Sequence, residues 1–188
     1  MNNLGAISLT QAKVWFHANN LFLNENKTQR IIFSTSNDLT VSTKLLGILI
    51  ESSLNWKKHI EYVSLKLDRI TYLIRNLRYI LPLSNLIQIY FSLFESHIRY
   101  GLFLWGNCTK IDIILKQQKA ILRIFNNSNA RESCRPLFKK YGVLTVINLY
   151  ILDVILYVAK NVSVYNNRCN IHSYNTRNNC NLEVPFCR

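Results

Sequence analysis

The chain has 188 residues, about the length of one domain and enough to bury a hydrophobic core without disulfides or metals. Hydrophobic residues make up 49% and charged residues 18%, with 5 Gly and 3 Pro, which excludes a disordered, collagen-like or linker protein. Because 23 Lys and Arg oppose 10 Asp and Glu, the formal net charge is +13, which favours nucleic acid or an anionic membrane surface as partner.

The first 50 residues combine one predicted helix with short β-like runs. Residues 4 to about 19 predict a helix, because apolar residues recur at helical spacing. Two β-like runs, 21–23 and 29–33, flank a polar turn and predict a hairpin. A further apolar strand is predicted over 44–50, where Gly47 indicates a bulge or a close backbone approach.

The strongest helical pattern begins after residue 55. Apolar residues alternate at intervals of 4 and 3, which predicts a long helix over 56–81 with a heptad seam. The seam consists of Trp56, Ile60, Val63, Leu67, Ile70, Ile74, Leu77 and Leu81. Another face interleaves basic and aromatic residues: Lys58, Tyr62, Leu65, Arg69, Tyr72, Arg75 and Tyr79.

Two predicted helices follow the seam helix. The first covers 85–100, and its apolar stripe is Leu86, Ile89, Leu93 and His97. The second begins at a capping-box pattern, Thr109–Asp112, and its apolar stripe is Ile111, Ile114, Leu115, Ile121, Leu122 and Phe125. We expect both helices to pack on the seam, with Trp56 and Trp105 as core anchors.

Two shorter patterns complete the helical part. Pro136 begins a short helix that Gly142 ends. Thr145 caps a last helix that reaches about Asn161. The residues beyond Asn161 are polar, Asn-rich and without periodicity, and they predict a flexible tail.

These elements predict an α+β, mainly α fold in three parts. A small helix and β-hairpin unit covers 1–53, a helical bundle covers 54–161, and a polar flexible tail covers 162–188. The N-terminus lacks the pattern of a signal peptide, and the longest nearly apolar run, 146–159, is too short to span a bilayer. We therefore expect an intracellular protein, cytoplasmic or nuclear, with no membrane segment.

Positive charge is concentrated in the predicted helical bundle. The segment 56–140 holds 15 basic and 5 acidic residues, so it carries +10 of the formal +13. General solubility is one explanation for such an excess. We interpret the concentration on one segment as a surface that follows the phosphates of a nucleic acid.

The sequence contains no visible catalytic centre. Phosphate-binding loops, dinucleotide fingerprints, zinc-protease motifs and paired aspartates that would hold two metal ions do not occur in it. Five cysteines without a CxxC pair indicate a reducing compartment. Four residues near the C-terminus could be considered as ligands of a zinc knuckle: Cys169, His172, Cys180 and Cys187. Such a site would need a close cysteine pair, which these residues lack, so we interpret them as unrelated side chains.

Several segments, taken in order, resemble the reverse transcriptases of non-LTR retrotransposons (LINE-type elements), especially those of jockey-like elements. Two segments of this chain are similar to the end of the family's palm and the start of its thumb: WFHANNLFLNENKTQRIIF and KLLGILIESSLNWKKHI. Four later segments of this chain are similar to the family's thumb and post-thumb region: HIRYGLFLWGNC, QQKAILRIF, RESCRPLFKKYGVLTV and HSYNTRNN. The resemblance covers nearly the whole chain and implies a palm remnant followed by a thumb-like helical bundle.

The resemblance implies roles for residues of the first part. Asn24 and Lys27 match the palm motif beside the nucleotide site, where Lys27 would lie near the triphosphate and assist departure of pyrophosphate. The primer-grip strand is matched by Lys44, Leu45, Leu46, Gly47 and Ile48. Gly47 would there let the backbone approach the primer. The alternatives are a surface lysine in a turn and an ordinary buried strand.

The resemblance also implies that the long helix is the first thumb helix and follows the minor groove of a template–primer duplex. The predicted phosphate contacts are Lys58, Arg69 and Arg75. Tyr62 and Tyr72 are predicted to pack on sugars. The alternative is a mixed basic face that is simply solvated.

The family's activity is RNA-directed DNA polymerisation with Mg²⁺ held by palm aspartates, and those motifs do not occur in this sequence. We therefore expect a C-terminal, thumb-containing fragment that holds the template–primer duplex, has no metal or cofactor of its own, and is inactive without the missing palm and fingers. Two alternatives are a stand-alone, noncatalytic basic helical module that binds RNA or DNA, and a heptad-driven interaction protein. Apolar surface on residues 4–50 leads us to expect poor solubility or self-association.

Overall fold

The computed structural model describes residues 3–33, 41–171, 174, 177–178 and 180–183. The chain divides into two compact units, Met1–Asn55 and Trp56–Arg188. The described residues form eight α-helices and one two-stranded antiparallel sheet, so the predicted α+β, mainly α fold is confirmed. Over these same residues, no helix combines the length and the apolar character needed to cross a bilayer.

The first unit contains one helix and one hairpin. Helix α1 (Asn3–Ala18) confirms the first predicted helix. Strands β1 (Ser42–Leu45) and β2 (Ile48–Glu51) pair antiparallel, with Leu45 opposite Ile48 next to the turn. The side chains of Val14 and Trp15 on α1 are exposed, at 66% and 59%.

Two strand predictions for this unit are wrong. The run 44–50 is not one strand, because Leu46 and Gly47 have φ of 48° and 88° and form the two-residue turn between β1 and β2. The runs 21–23 and 29–33 form no hairpin. Between them, the side-chain oxygen of Asn24 accepts from the Lys27 N–H (3.2 Å) and caps a 3₁₀ turn instead.

The second unit is organised around helix α2 (Lys57–Leu77), which is the predicted seam helix and ends before Leu81. Its packing confirms the heptad pattern, since Ile60, Leu67 and Ile74 are fully buried. The other seam residues are buried or pack half-buried against the same core. The opposite side of α2 is therefore left facing solvent.

The helical segment after α2 contains a π-helical insertion. Helix α3 (Leu83–Ile89) continues into a π-helix (Tyr90–Glu95) and then into α4 (Ser96–Arg99). The buried stripe is Leu86, Tyr90, Phe94 and Ile98. Of the other predicted stripe residues, Ile89 packs half-buried against the core, but Leu93 is exposed, because a π-helix has more residues in each turn than the 3.6 that the prediction assumed.

The short helix α5 (Leu102–Trp105) and helix α6 (Asp112–Asn126) come next. Gly101 separates α4 from α5 with φ of 66°. The predicted capping box is wrong, because no side chain caps α6 and Asp112 is its first residue. An aspartate in the first turn still favours the helix through the helix dipole.

The last two helices follow the prediction closely. Helix α7 (Arg135–Lys140) has Pro136 in its first turn and is followed by Gly142, whose φ is 63°. Helix α8 (Val146–Lys160) is capped by Thr145, whose hydroxyl oxygen accepts from the Asn148 N–H at 3.2 Å.

A buried glutamine connects several elements of this core. Gln118 of α6 is 0% exposed and donates through Nε2 to the Tyr90 hydroxyl (3.0 Å) and to the Leu144 carbonyl (3.1 Å). Its Oε1 accepts from the Val146 N–H at 2.8 Å, at the start of α8. The side chain thus ties α6, the π-helix and the α7–α8 connection together.

The described part of the C-terminal tail contains local structure. Two 3₁₀ turns, Val162–Val164 and Arg168–Asn170, follow α8. Asn167 forms an isolated antiparallel bridge with Leu182, and Arg168 pairs with Glu183 at 3.3 Å. Two members of the candidate zinc set, His172 and Cys187, lie outside the described residues.

Candidate nucleic-acid interface

The face of α2 opposite its seam carries exposed basic and aromatic side chains. Arg69, Tyr72 and Arg75 are all exposed, and Tyr72 is 65% accessible. Within the described residues, none of the three makes a hydrogen bond or an ion pair. These three predicted contacts are therefore accessible to a partner.

The other two predicted contacts on α2 have different surroundings. Lys58 is half-buried and already interacts with another group of the protein. Tyr62 packs half-buried against the core, and the Lys66 ammonium lies 4.5 Å from the centre of its ring. These two side chains are less accessible to a partner than the three exposed ones.

Acidic residues restrict the positive part of this face to the C-terminal half of α2. Glu61 and Asp68 are exposed on the same helix. Asp68 accepts a hydrogen bond from Gln117 of α6 at 2.7 Å. The two exposed arginines follow Asp68, at positions 69 and 75.

The C-terminal ends of α2 and α6 form a cavity that sequence reasoning missed. Its volume is about 340 Å³, and its basic lining residues are Arg75, Arg78 and Arg123. A second cavity of about 520 Å³ shares Arg123 and is lined by further basic residues of α6, α7 and the loop between them: Lys119, Arg131 and Arg135. These arginines are up to 60 positions apart in sequence, so the only sequence signal that points to the two cavities is the excess of positive charge over 56–140.

Two of the cavity arginines are fixed by carbonyl groups rather than by carboxylates. Arg78 donates through Nη1 to the Ile124 carbonyl and, at 3.4 Å, to the side-chain oxygen of Asn127. Arg123 donates through Nη2 to the Glu132 carbonyl (3.1 Å), while its Nε–H is buried without an acceptor. Within the described part of the chain, neither guanidinium forms an ion pair.

The residues predicted to lie near a nucleotide or primer occupy turns of the first unit. Lys27 is exposed at the end of the 3₁₀ turn that Asn24 caps. The primer-grip-like residues surround the hairpin turn: Lys44 and Leu45 in β1, Leu46 and Gly47 in the turn, and Ile48 in β2. Leu46 is 81% exposed, so the turn has an accessible apolar tip.

One buried histidine has a strongly shifted pKa. His59 is 1% exposed and lies among the rings of Trp56, Tyr62 and Trp105. Burial, together with the charge of Lys66, lowers its pKa to about 4. His59 is therefore a neutral core residue, and Trp105, fully buried beside it, is the core anchor that the sequence predicted.

No family model, curated protein or solved structure matches the chain. Among the described residues, no three His, Cys, Asp or Glu side chains are grouped closely enough to hold a metal ion. Among the described residues, the candidate features are the exposed face of α2 and the arginine-lined cavity beside it.

Proposed function

We propose that this chain holds a nucleic-acid duplex against helix α2, as the thumb of an RNA-directed DNA polymerase holds template and primer, and contributes no catalytic carboxylate itself. The observation that carries the proposal is the exposed set Arg69, Tyr72 and Arg75 on a helix whose other side is fixed in the core. The ordered resemblance to non-LTR reverse transcriptases supports the same function.

The spacing of these residues suits contact with two phosphate groups across a groove. In an α-helix, residues six positions apart are separated by about 9 Å along the axis and by about 120° around it. Arg69 and Arg75 have this relationship, and Tyr72 lies midway between them. Two cations flanking a ring would contact phosphates on both sides while the ring packs on sugars.

The preferred nucleic acid is an A-form duplex. Such a duplex has a wide, shallow minor groove that proteins recognise by shape and through phosphates and 2′-hydroxyls rather than by sequence. A convex helix surface with two arginines and one tyrosine suits this mode. We therefore expect an RNA–DNA hybrid to bind more tightly than B-form DNA, with little sequence preference.

The experiment is fluorescence anisotropy of the full chain with an RNA–DNA hybrid and with duplex DNA of the same sequence, both with 5′-hydroxyl ends. We expect Arg69→Gln to weaken hybrid binding about fivefold to tenfold, the loss of one charge-assisted contact. Tyr72→Ala should weaken it as well. The matched control is Lys160→Gln, which removes one exposed charge at the end of α8, away from this face.

Either of two results would contradict the proposal. One is the absence of hybrid binding at low salt. The other is an equal effect of Arg69→Gln and Lys160→Gln, because that would assign binding to net charge alone rather than to the α2 face.

A further inference from the structure

We infer that the cavity between the ends of α2 and α6 is a binding site for a terminal phosphate group, that is, for a phosphomonoester or inorganic phosphate. The site is formed by the guanidinium groups of Arg75, Arg78 and Arg123. This inference goes beyond the proposed function, because it concerns a concave site for a strand end or a small phosphate and stands whether or not a duplex binds α2.

The cavity is lined by positive charge. Three arginines line one cavity, and none of the described aspartates and glutamates lines it. None of the three forms an ion pair within the described part of the chain. Three like charges around one concave space repel each other, and an anion placed between them removes that repulsion.

The arginines of the cavity have hydrogen-bond donors to spare. A guanidinium carries five N–H groups in a planar fork that matches phosphate oxygens. Arg75 donates to no described acceptor, and the hydrogen bonds of Arg78 use only Nη1. The site therefore keeps unused N–H donors for the oxygens of a phosphate.

Two of the three arginines are preorganised by contacts within the protein. Arg78 is held by the Ile124 carbonyl and Arg123 by the Glu132 carbonyl, so neither guanidinium moves freely in solvent. Groups that are fixed before binding lose little conformational entropy when the ligand arrives. The cation that is free to close over a bound phosphate is the exposed Arg75.

The shape of the site favours a terminal phosphate over the backbone of a duplex. Its volume of about 340 Å³ is at the lower end of the range for small-molecule sites. Internal phosphodiesters of a duplex lie on a convex surface and carry one charge each. A terminal phosphate carries nearly two charges, has three exposed oxygens, and can enter a concave site.

The experiment compares short single-stranded oligonucleotides with the full chain by calorimetry or by fluorescence competition at pH 7.5. The main probe is a 5′-phosphorylated trinucleotide, and its first comparator is the same trinucleotide with a 5′-hydroxyl. The second comparator is a 5′-hydroxyl pentanucleotide, which carries about the same four negative charges as the main probe, all on diesters. A short glutamate peptide of equal charge tests whether carboxylates substitute for phosphate.

We expect the phosphorylated trinucleotide to bind about tenfold more tightly than both comparators and the peptide. Arg75→Gln should reduce this preference to about threefold or less while the protein stays folded, because the Arg75 side chain is exposed and has no partner to lose. Lys160→Gln, which removes an exposed charge at the end of α8 that does not line the cavity, should leave the preference unchanged.

Inorganic phosphate distinguishes the two sources of the group. If phosphate alone binds as tightly as the phosphorylated trinucleotide, the ligand is a small free phosphate. If phosphate binds more weakly, the ligand is a strand end.

Binding of the charge-matched pentanucleotide or of the glutamate peptide as tight as that of the phosphorylated trinucleotide would overturn the inference. A preference that survives Arg75→Gln would overturn it too. A duplex with 5′-hydroxyl ends tests the proposed function separately, so the two failures are distinguishable.

Discussion

Arg78, at the end of α2, donates a hydrogen bond to the carbonyl oxygen of Ile124 in the last turn of α6. The last carbonyls of a helix have no partner within it, so this contact satisfies one of them. It also places a positive charge at the negative end of the α6 dipole. One side chain thus fixes the ends of the two helices that form the arginine-lined cavity.

Removing this contact should destabilise the protein. We expect Arg78→Met to lower the free energy of unfolding by about 1–3 kcal/mol, because the Ile124 carbonyl would keep only the 3.4 Å contact with the Asn127 N–H and the helix end would lose a cation. The matched control, Arg75→Met, should change it by less than about 0.5 kcal/mol, as for an exposed side chain without partners. Urea denaturation measures both, and equal losses would show that Arg78 does not tie the helix ends.

The buried Gln118 should contribute more to the free energy of unfolding than Gln117, its neighbour in the sequence. We expect Gln118→Leu to cost about 2–4 kcal/mol, because the Val146 N–H would be left buried without an acceptor and the Tyr90 hydroxyl would be left buried without its donor. Gln117→Leu should cost less than about 1 kcal/mol, because Gln117 bonds at the edge of the α2–α6 contact. Chemical denaturation of the two variants gives the comparison, and similar costs would contradict the network.

The two threonines in cap-like sequence positions should behave differently. Thr145→Ala should destabilise the protein by about 1 kcal/mol, because the hydroxyl of Thr145 caps α8. Thr109→Ala should cost less than about 0.5 kcal/mol, because α6 begins at Asp112 without a side-chain cap. Thermal unfolding of both variants checks this, and a larger loss for Thr109→Ala would mean that its capping box forms after all.

Stability should decrease on acidification because of His59. Its pKa is lowered from 6.5 to about 4 in the folded chain, so the unfolded chain binds the proton first as the pH falls. The stability that the neutral ring contributes is therefore complete above pH 6.5 and is lost as the pH falls from 6.5 to 4. The loss attributable to His59 is on the order of 3 kcal/mol.

The control for this pH dependence is His59→Phe, which keeps a ring among Trp56, Tyr62 and Trp105 and removes the titrating group. Denaturation curves between pH 4 and 8 for the two proteins should diverge below pH 6.5. If the stabilities of the two proteins change in parallel with pH, the pKa of His59 is not lowered in the folded protein.

Much of the second unit was predictable from the sequence because its signals are local or periodic. The seam of α2 is buried as its heptad spacing predicts, and Thr145 caps α8 as its position before an apolar run predicts. The stripe after Ile89 was not predictable, because a π-helix changes the number of residues per turn and no residue type indicates it. The hairpin turn at Leu46–Gly47 was missed because an apolar residue there has positive φ.

The candidate site was predictable only in part. Arg69, Tyr72 and Arg75 were identified because they share one helix, where spacing alone determines which side they occupy. The cavity was missed because Arg78 and Arg123 meet through the packing of α2 on α6, which sequence spacing does not reveal. Gln118 was missed for the related reason that a polar residue in an apolar stripe is normally expected at the surface.

The central claim is that the exposed face of α2 binds nucleic-acid phosphates, and the salt dependence of hybrid binding tests it most directly. The affinity of the full chain for an RNA–DNA hybrid is measured over a series of salt concentrations for the natural sequence and for the double variant Arg69→Gln/Arg75→Gln. Each lost phosphate contact reduces the slope of log K against log salt by about 1, so we expect a slope shallower by about 2. An unchanged slope would mean that these arginines contact no phosphate and would contradict the account.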